Sequence, residues 1–246
     1  AEAFYIRDED TGAFWSPTPL PAGGNTDYIC RHGFGYSVFE HIEFGISSAL
    51  HTYVAMDAPV KFVVIKLKNN TNKPRRLSLT GYWELVLGEW RHSNLMHIVT
   101  EVDSHSGSLF ARNAYGRECG NRVFFAMVSG KSSSVSGSRT AFIGRNGTLK
   151  NPAAMYRKRL SGITGAGFDP CAVLQTSMEL SAGQEYEVVF MLGAAGNSDE
   201  ARQLIQRFSE PAGAKMALEE VWKYWRHTLE AVQVETPDPA LDIMAN

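Results

Sequence analysis

The chain of 246 residues has no apolar run near the roughly 18 residues that a membrane-spanning helix needs. Its opening, AEAFYIRDED, lacks the basic-then-apolar order of a secretory signal. The expectation is a cytoplasmic chain, unless targeting segments lie outside it. Cysteine is scarce. Cys30, Cys119 and Cys171 are odd in number, widely spaced and without a C-x-x-C, which argues against a disulfide framework or a zinc site. Buried, reduced thiols are the expectation. Charge of one sign is also missing: the net charge is -2, so no polyanion and no nucleic acid is expected as a partner. The densest basic cluster, KPRR at 73–76, reads as a solvated turn.

Several catalytic signatures are absent too. GAGFDP at 165–170 opens no helix and GRNG at 144–147 reads as a turn, so neither is a phosphate loop. No serine sits in G-x-S-x-G, and no H-E-x-x-H is present. His92 and His97 are five apart, and His105 follows near Asp103. A strand does not place such imidazoles on one ion, so no metal is expected.

What the sequence does hold is β pattern. At 60–67, VKFVVIKL is apolar on both faces, as in a strand buried on both sides. The turn signal NNTNKP follows, then RRLSLTGYWELVLG alternates again, which predicts a hairpin. RVFFAMVS at 122–129 is a further strand, and SSSVSGSRTAF after it reads as a serine-rich loop before a short strand. The clearest predicted hairpin is LQTSMELSAGQEYEVVFMLG, with Leu174, Thr176, Met178 and Leu180 alternating before SAGQE, and Tyr186, Val188, Phe190 and Leu192 after it. Closely spaced strands of this kind predict a mainly β chain, a large antiparallel sandwich.

The pattern changes at Asn197. NSDEARQLIQRF starts a helix that Asn197 or Ser198 can cap, with Glu200 three residues after Asn197 as in a capping box and Leu204, Ile205 and Phe208 on its apolar face. A second helix is expected from about 214 to 232, with a stripe of Leu218, Val221, Trp222, Trp225, Leu229 and Val232 packed on the sandwich. The division expected is a sandwich at 1–196 and a helical segment at 197–246. After Pro237 and Pro239, ALDIM resumes a helical pattern close to Asn246, as though a further element began there.

Two stretches carry residues able to do chemistry. YICRHGFGYSVFEHIEFGI at 28–46 holds Arg31, His32, Glu40, His41 and Glu43. His32 and Glu40 are an acid–base pair on one reading. In one continuous strand, however, residues eight apart stand roughly 27 Å apart, at 3.3–3.4 Å each. The plainer reading is two strands around Gly33 and Gly35, with His32 and His41 satisfied by local hydrogen bonds. The second stretch is GYWELVLGEWRHSNLMH at 81–97. Trp83, Trp90, Arg91, His92 and Asn94 flank a strand-to-loop transition, and sugars are held by an aromatic face together with planar hydrogen-bonding groups. The alternative there is Trp83 as core and the rest as loop surface.

Taken in order, FWSPTPLP, YICRHGFGYSVFEHIEFGI, DAPVKFVVIKLKNNTNKPRRLSLTGYWELVLG, SGSLFARNAYGRECGNRVFFA, FIGRNGTLKNPAAM, GAGFDPCAVLQTSMELSAGQEYEVVFMLG and VETPDPALDIMAN resemble the N-terminal sandwich of the inverting glycoside phosphorylases, glycoside hydrolase family 94. The version found in cyclic β-1,2-glucan synthases and β-1,2-oligoglucan phosphorylases is the most similar. The resemblance implies a galactose-mutarotase-like supersandwich, two linker helices and then an (α/α)6 barrel. It implies an aspartate in that barrel as catalytic acid, with inorganic phosphate as co-substrate attacking from the opposite face and no other cofactor. Asp238 and Asp242 precede the barrel, so no catalytic residue is expected in this chain.

The resemblance also implies a homodimer in which a sandwich loop reaches the neighbour's sugar site. By chain order that loop is GEWRHSNLMH, which makes Trp90, Arg91, His92 and Asn94 candidate carbohydrate-binding residues, with Arg112 and Asn113 of FARN beside them. The partners expected are a β-linked glucan or oligosaccharide, the barrel, and upstream strands or a second chain covering exposed sheet edges. The location implied is the cytoplasm, or the cytoplasmic side of the inner membrane for a glucan synthase. Alternatives are a stand-alone carbohydrate-binding module, or an aldose-epimerase-like enzyme using His32 or His92 with Glu40.

Overall fold

The computed structural model describes residues 1–116, 119–120, 122–129, 134–230 and 234–245. Two antiparallel sheets stack face to face. In chain order the strands are β1 (Glu2–Asp8), β2 (Phe14–Trp15), β3 (Tyr28–Gly33), β4 (Tyr36–Glu43), β5 (Ile46–Val54), β6 (Val60–Asn69), β7 (Arg75–Glu84), β8 (Ile98–Val102), β9 (Leu109–Asn113), β10 (Val123–Val128), β11 (Ser134–Ser138), β12 (Pro170–Leu180) and β13 (Glu185–Ala195). A five-stranded sheet has the order β11-β12-β7-β1-β2, and an eight-stranded sheet the order β3-β4-β5-β6-β13-β10-β9-β8. The chain is mainly β, as its alternation predicts.

Three apolar layers hold the sheets. Between them lie Ile6, Ile65, Leu79, Leu174 and Phe190, all fully buried. The outer face of the five-stranded sheet carries Tyr5, Tyr82 and Val173 against Phe142 and Met155 of the segment after β11. The outer face of the eight-stranded sheet carries Phe62, Phe125 and Met191 against Ala201, Ile205, Phe208 and Val221 of the C-terminal helices. The central strands are therefore apolar on both faces, which is why VKFVVIKL reads as a continuous run.

Both predicted hairpins prove to be something else. β6 (Val60–Asn69) and β7 (Arg75–Glu84) lie in different sheets, as do β12 (Pro170–Leu180) and β13 (Glu185–Ala195). Each turn is an arch that carries the chain from one sheet to the other. β6 already has β5 and β13 on its two edges, and β7 has β1 and β12, so neither has an edge left for the other. Lys73 and Pro74 lie in the first arch, but Arg75 and Arg76 already belong to β7, where they pair with Asp8 and Asp10.

The serine-rich loop is likewise corrected. Ser134–Ser138 is β11, and Arg139–Ile143 is the short helix α2, capped by the Ser138 hydroxyl on Ala141 N–H; residues 131–133 lie outside the described residues. GRNG follows that helix.

The first of the C-terminal helices starts as predicted. α3 (Ser198–Phe208) is capped by the Asn197 side chain, which accepts from Asp199 and Glu200 N–H, while Glu200 accepts from Gly196 N–H at 2.9 Å. α4 runs Pro211–Leu229, three residues earlier than expected because Pro211 serves at the first turn, where no N–H is needed. Trp225 packs on the sheet, but Trp222 is 41% exposed and not core; Val232 lies outside the described residues. α5 (Pro239–Ala245) opens with Asp238 accepting from Ala240 N–H at 2.9 Å, and Asp242 accepts from Thr236 N–H at 2.8 Å, so both are turn and cap residues. Among the described residues no helix is long and apolar enough to cross a membrane. The cysteines are free thiols; Cys171 is buried, but Cys30 is exposed on β3.

Candidate functional site

The 28–46 stretch forms β3 (Tyr28–Gly33) and β4 (Tyr36–Glu43), joined by a tight turn at Gly35. That turn removes the separation a single strand would impose. The pair still fails, for another reason. His32 stands opposite Ser37 and Glu40 opposite Ile29, so the two side chains project from opposite faces of the hairpin. His32 Nδ1 lies 2.8 Å from the Ser37 hydroxyl, and Glu40 pairs with Arg31. His41 is buried, stacked on Tyr28 at 3.7 Å, with Nδ1 3.1 Å from Asp27 O and Nε2 3.3 Å from Glu43 Oε2. Glu43 also accepts from Asn25 N–H at 2.7 Å, so this cluster ties the 24–28 loop to the sheet edge.

The second stretch forms a raised rim. β7 ends at Glu84, the chain turns at Leu87 and Gly88, and α1 (Arg91–Asn94) leads through a single 3-10 turn, Leu95–His97, into β8 (Ile98–Val102). β9 (Leu109–Asn113) returns beside it. The fully buried Asn113 fastens the rim from below. Its amide donates to Leu87 O and to Asn94 Oδ1, both at 2.8 Å, and its oxygen accepts from Tyr115 N–H at 3.1 Å. Asn94 in turn donates to Trp90 O at 2.7 Å. Gly88 is required at this close approach, because a Cβ there would lie 2.5 Å from the Asn94 side chain.

The inner side of the rim is charged and self-paired. Arg91 Nε lies 2.6 Å from Glu84 Oε1, and its other end meets Asp169. Arg139 NH1 reaches Asp169 at 3.2 Å, with Nε 3.5 Å from Glu84. Burial works against the Arg139 charge, but Tyr82, Asp169 and Glu84 raise its pKa, so the guanidinium stays charged.

The candidate residues separate accordingly. Trp90 and His92 are exposed on the rim, while Arg91, Asn94 and Asn113 form its base. Arg112 projects from the other face of β9, toward Glu101 at 2.9 Å and the Ser198 hydroxyl at 2.6 Å at the start of α3. Trp83 is core, and its indole donates to Glu2 at 2.8 Å. Reading the sequence missed three exposed members of the rim, Met96, His97 and Tyr115, the last two with rings 4.8 Å apart. The available signal for Tyr115 was an aromatic in the glycine- and asparagine-rich loop after FARN. Among the described residues, no three His, Cys, Asp or Glu side chains come together as a metal cluster would.

The chain matches known proteins over most or all of its length. The family model for the glycosyl hydrolase 94 supersandwich domain matches residues 1–211. The cyclic beta-(1,2)-glucan synthase NdvB of Rhizobium meliloti is 33% identical over 249 residues, covering 100% of this chain and 9% of that protein. The N,N'-diacetylchitobiose phosphorylase of Vibrio furnissii is 26% identical, covering 98% of this chain and 31% of that protein. Among solved structures, a bacterial glucoamylase complexed with acarbose superposes with a TM-score of 0.55 at 9% identity, over 92% of this chain and 32% of that one, a likeness of fold alone. The chain therefore spans from 9% to 31% of the length of these two curated relatives.

Proposed function

The chain belongs to the glycosyl hydrolase 94 supersandwich family, and from that premise we propose that it is the non-catalytic sandwich and linker of a larger β-glucan-acting enzyme, a glycoside phosphorylase or a cyclic β-1,2-glucan synthase. In this reading the inverting transfer, with inorganic phosphate as co-substrate, is done by residues outside the chain. The sandwich frames the sugar site and contributes to a dimer. Its place is the cytoplasm, or the cytoplasmic side of the inner membrane when the parent is a synthase.

The observation that carries the reading is the rim. Trp90, His92 and Tyr115 stand exposed on a base that Asn113, Asn94 and the Arg91–Glu84–Asp169 contacts hold rigid. Aromatic and imidazole groups on a rigid scaffold form a sugar platform whose ordering cost is met on folding. The opposite projection of His32 and Glu40 speaks against the His32 form of the epimerase-like alternative, and the five strands between β4 and β8 separate Glu40 from His92 on the rim, against its His92 form.

The test has two arms. The chain alone is incubated with a β-1,2-glucan and phosphate, and glucose 1-phosphate is measured; none is expected. In the full-length parent, Trp90→Ala is expected to raise KM for the glucan about tenfold, the loss of one aromatic contact of about 1.4 kcal/mol. Robust turnover by the chain alone sinks the proposal.

A further inference from the structure

The outer face of the eight-stranded sheet is only partly covered. α4 lies over the end that holds Tyr53, Phe62 and Met191. Beyond it, two rows of cross-strand neighbours remain open. One row is Glu40–Ala49–Lys66–Glu187 and the other Ile42–Ser47–Lys68–Glu185, each running across β4, β5, β6 and β13 in register. In both rows the β5 position is small, Ala49 or Ser47, and its neighbours are long. A trough therefore follows β5.

The trough has a measurable volume. Its open part is a cavity of about 710 Å³ that includes Ser47, Ala49, Lys66 and Lys68. It meets, at Lys66, a smaller cavity of about 140 Å³ beneath α4, bounded by His51, Glu187, Lys215, Glu219 and Trp222. From Ser47 to Tyr53 the floor extends for about 20 Å at the rise of a strand. Trp222 stands at the covered end with 41% of its surface exposed, oriented by an edge-on contact with Tyr36 at 5.8 Å.

The chemistry of the lining selects the ligand. Lys68 lies 2.9 Å from Glu185, Lys66 lies 3.4 Å from Glu187, and Glu40 pairs with Arg31. Cations and carboxylates alternate, so the trough has no field of one sign with which to draw an anion. It offers instead closely interleaved donors and acceptors beside an indole. Burial and the Lys66 charge lower the His51 pKa, and a neutral imidazole adds one donor and one acceptor. Vicinal hydroxyls, each both donor and acceptor, on a ring with an apolar face are the match for such a lining.

We infer that this trough is a second carbohydrate-binding site, taking a neutral glucan chain along β5 with one sugar ring against Trp222. It lies toward the β3 edge of the sheet, while the Trp90–Tyr115 rim adjoins the β8 edge. Its binding does not depend on the rim.

Calorimetric titration of the chain with linear β-1,2-glucan oligosaccharides, and with cello-oligosaccharides, tests the inference. Saturable binding is expected, weakened at least about tenfold by Trp222→Ala and by Ala49→Trp, and unchanged by Arg145→Ala, an exposed position after α2. Trp222→Ala removes a contact and Ala49→Trp fills the trough without deleting an atom of its lining, so matching losses in two variants with native circular dichroism identify the site. No saturable binding of either series overturns the inference. So does binding that both Trp222→Ala and Ala49→Trp leave intact, or a preference for an anionic heparin-derived oligosaccharide. The glucose 1-phosphate assays above succeed or fail separately from this result.

Discussion

The amide of Asn69 donates to the backbone carbonyl of Leu180 at 3.0 Å, joining two arches 111 residues apart in sequence. The same amide reaches Lys73 O and Ser181 O, and the Asn69 oxygen accepts from both the N–H and the hydroxyl of Thr71. Its backbone N–H donates to Gln184 O, and its C=O accepts from Gly183 N–H. One fully buried side chain thus satisfies the carbonyls left open where the chain leaves each sheet.

Asn69→Ala removes every one of those side-chain bonds and leaves buried carbonyls unpaired. The expected loss is about 2–4 kcal/mol of unfolding free energy, read from the denaturation midpoint at unchanged slope. Asn69→Asp places an acceptor against three carbonyls and is expected to lose at least as much. An effect within about 0.5 kcal/mol refutes the pinning role.

Gly35 turns the β3–β4 hairpin at φ +79°, and a Cβ there would lie 2.5 Å from the Trp225 indole nitrogen and 2.7 Å from Val221. Gly35→Ala therefore combines left-handed strain with overpacking, at about 2–4 kcal/mol together. The indole should lose part of its cover on the sheet, seen as a red shift of tryptophan emission. Wild-type emission with wild-type stability contradicts this contact.

Asp103 is buried in the β8–β9 turn and holds Arg202 of α3 at 2.8 Å. Burial alone raises its pKa, but bonds from Arg202 and from the Ser106 hydroxyl and N–H carry it well below the ordinary carboxylate value. A depressed native pKa means that its stabilisation is complete above the unfolded value, about 3.9, and disappears as pH falls through the folded value. Stability should therefore fall below about pH 4, with a shallower slope in Asp103→Asn. Equal acid slopes for both proteins exclude the linkage.

Asn113 is the pin of the rim. Asn113→Ala is expected to cost about 1–3 kcal/mol, since Leu87 O and Tyr115 N–H lose their buried partner. Amide exchange should speed up in residues 87–97 and 113–116 but not in β6. Exchange that accelerates uniformly speaks against a local role.

Strand content was legible because alternation is set residue by residue. The α3 cap was legible because Asn197 and Glu200 lie within one turn of each other. The two arches were not. NNTNKP and SAGQE carry ordinary turn chemistry, and nothing local distinguishes a hairpin from a crossing between sheets. The alternative of Trp83 as core and the rest as loop surface holds for Trp83, Trp90 and His92, but the roles of Arg91, Asn94 and Asn113 in the base depend on Asp169, Glu84 and Leu87, which arrive from other elements.

By itself the sequence determined most of the strands, the turns between them and the start of α3, all set by short-range pattern; the family was a resemblance carried by its ordered motifs, and the glycosyl hydrolase 94 supersandwich model matches residues 1–211. Tertiary structure alone decided which sheet each strand joins, which side chains the rim exposes, and that small residues on β5 open a trough between rows of charge. Those outcomes depend on which edges remain unpaired and which faces must be buried, and neither exists until distant segments meet.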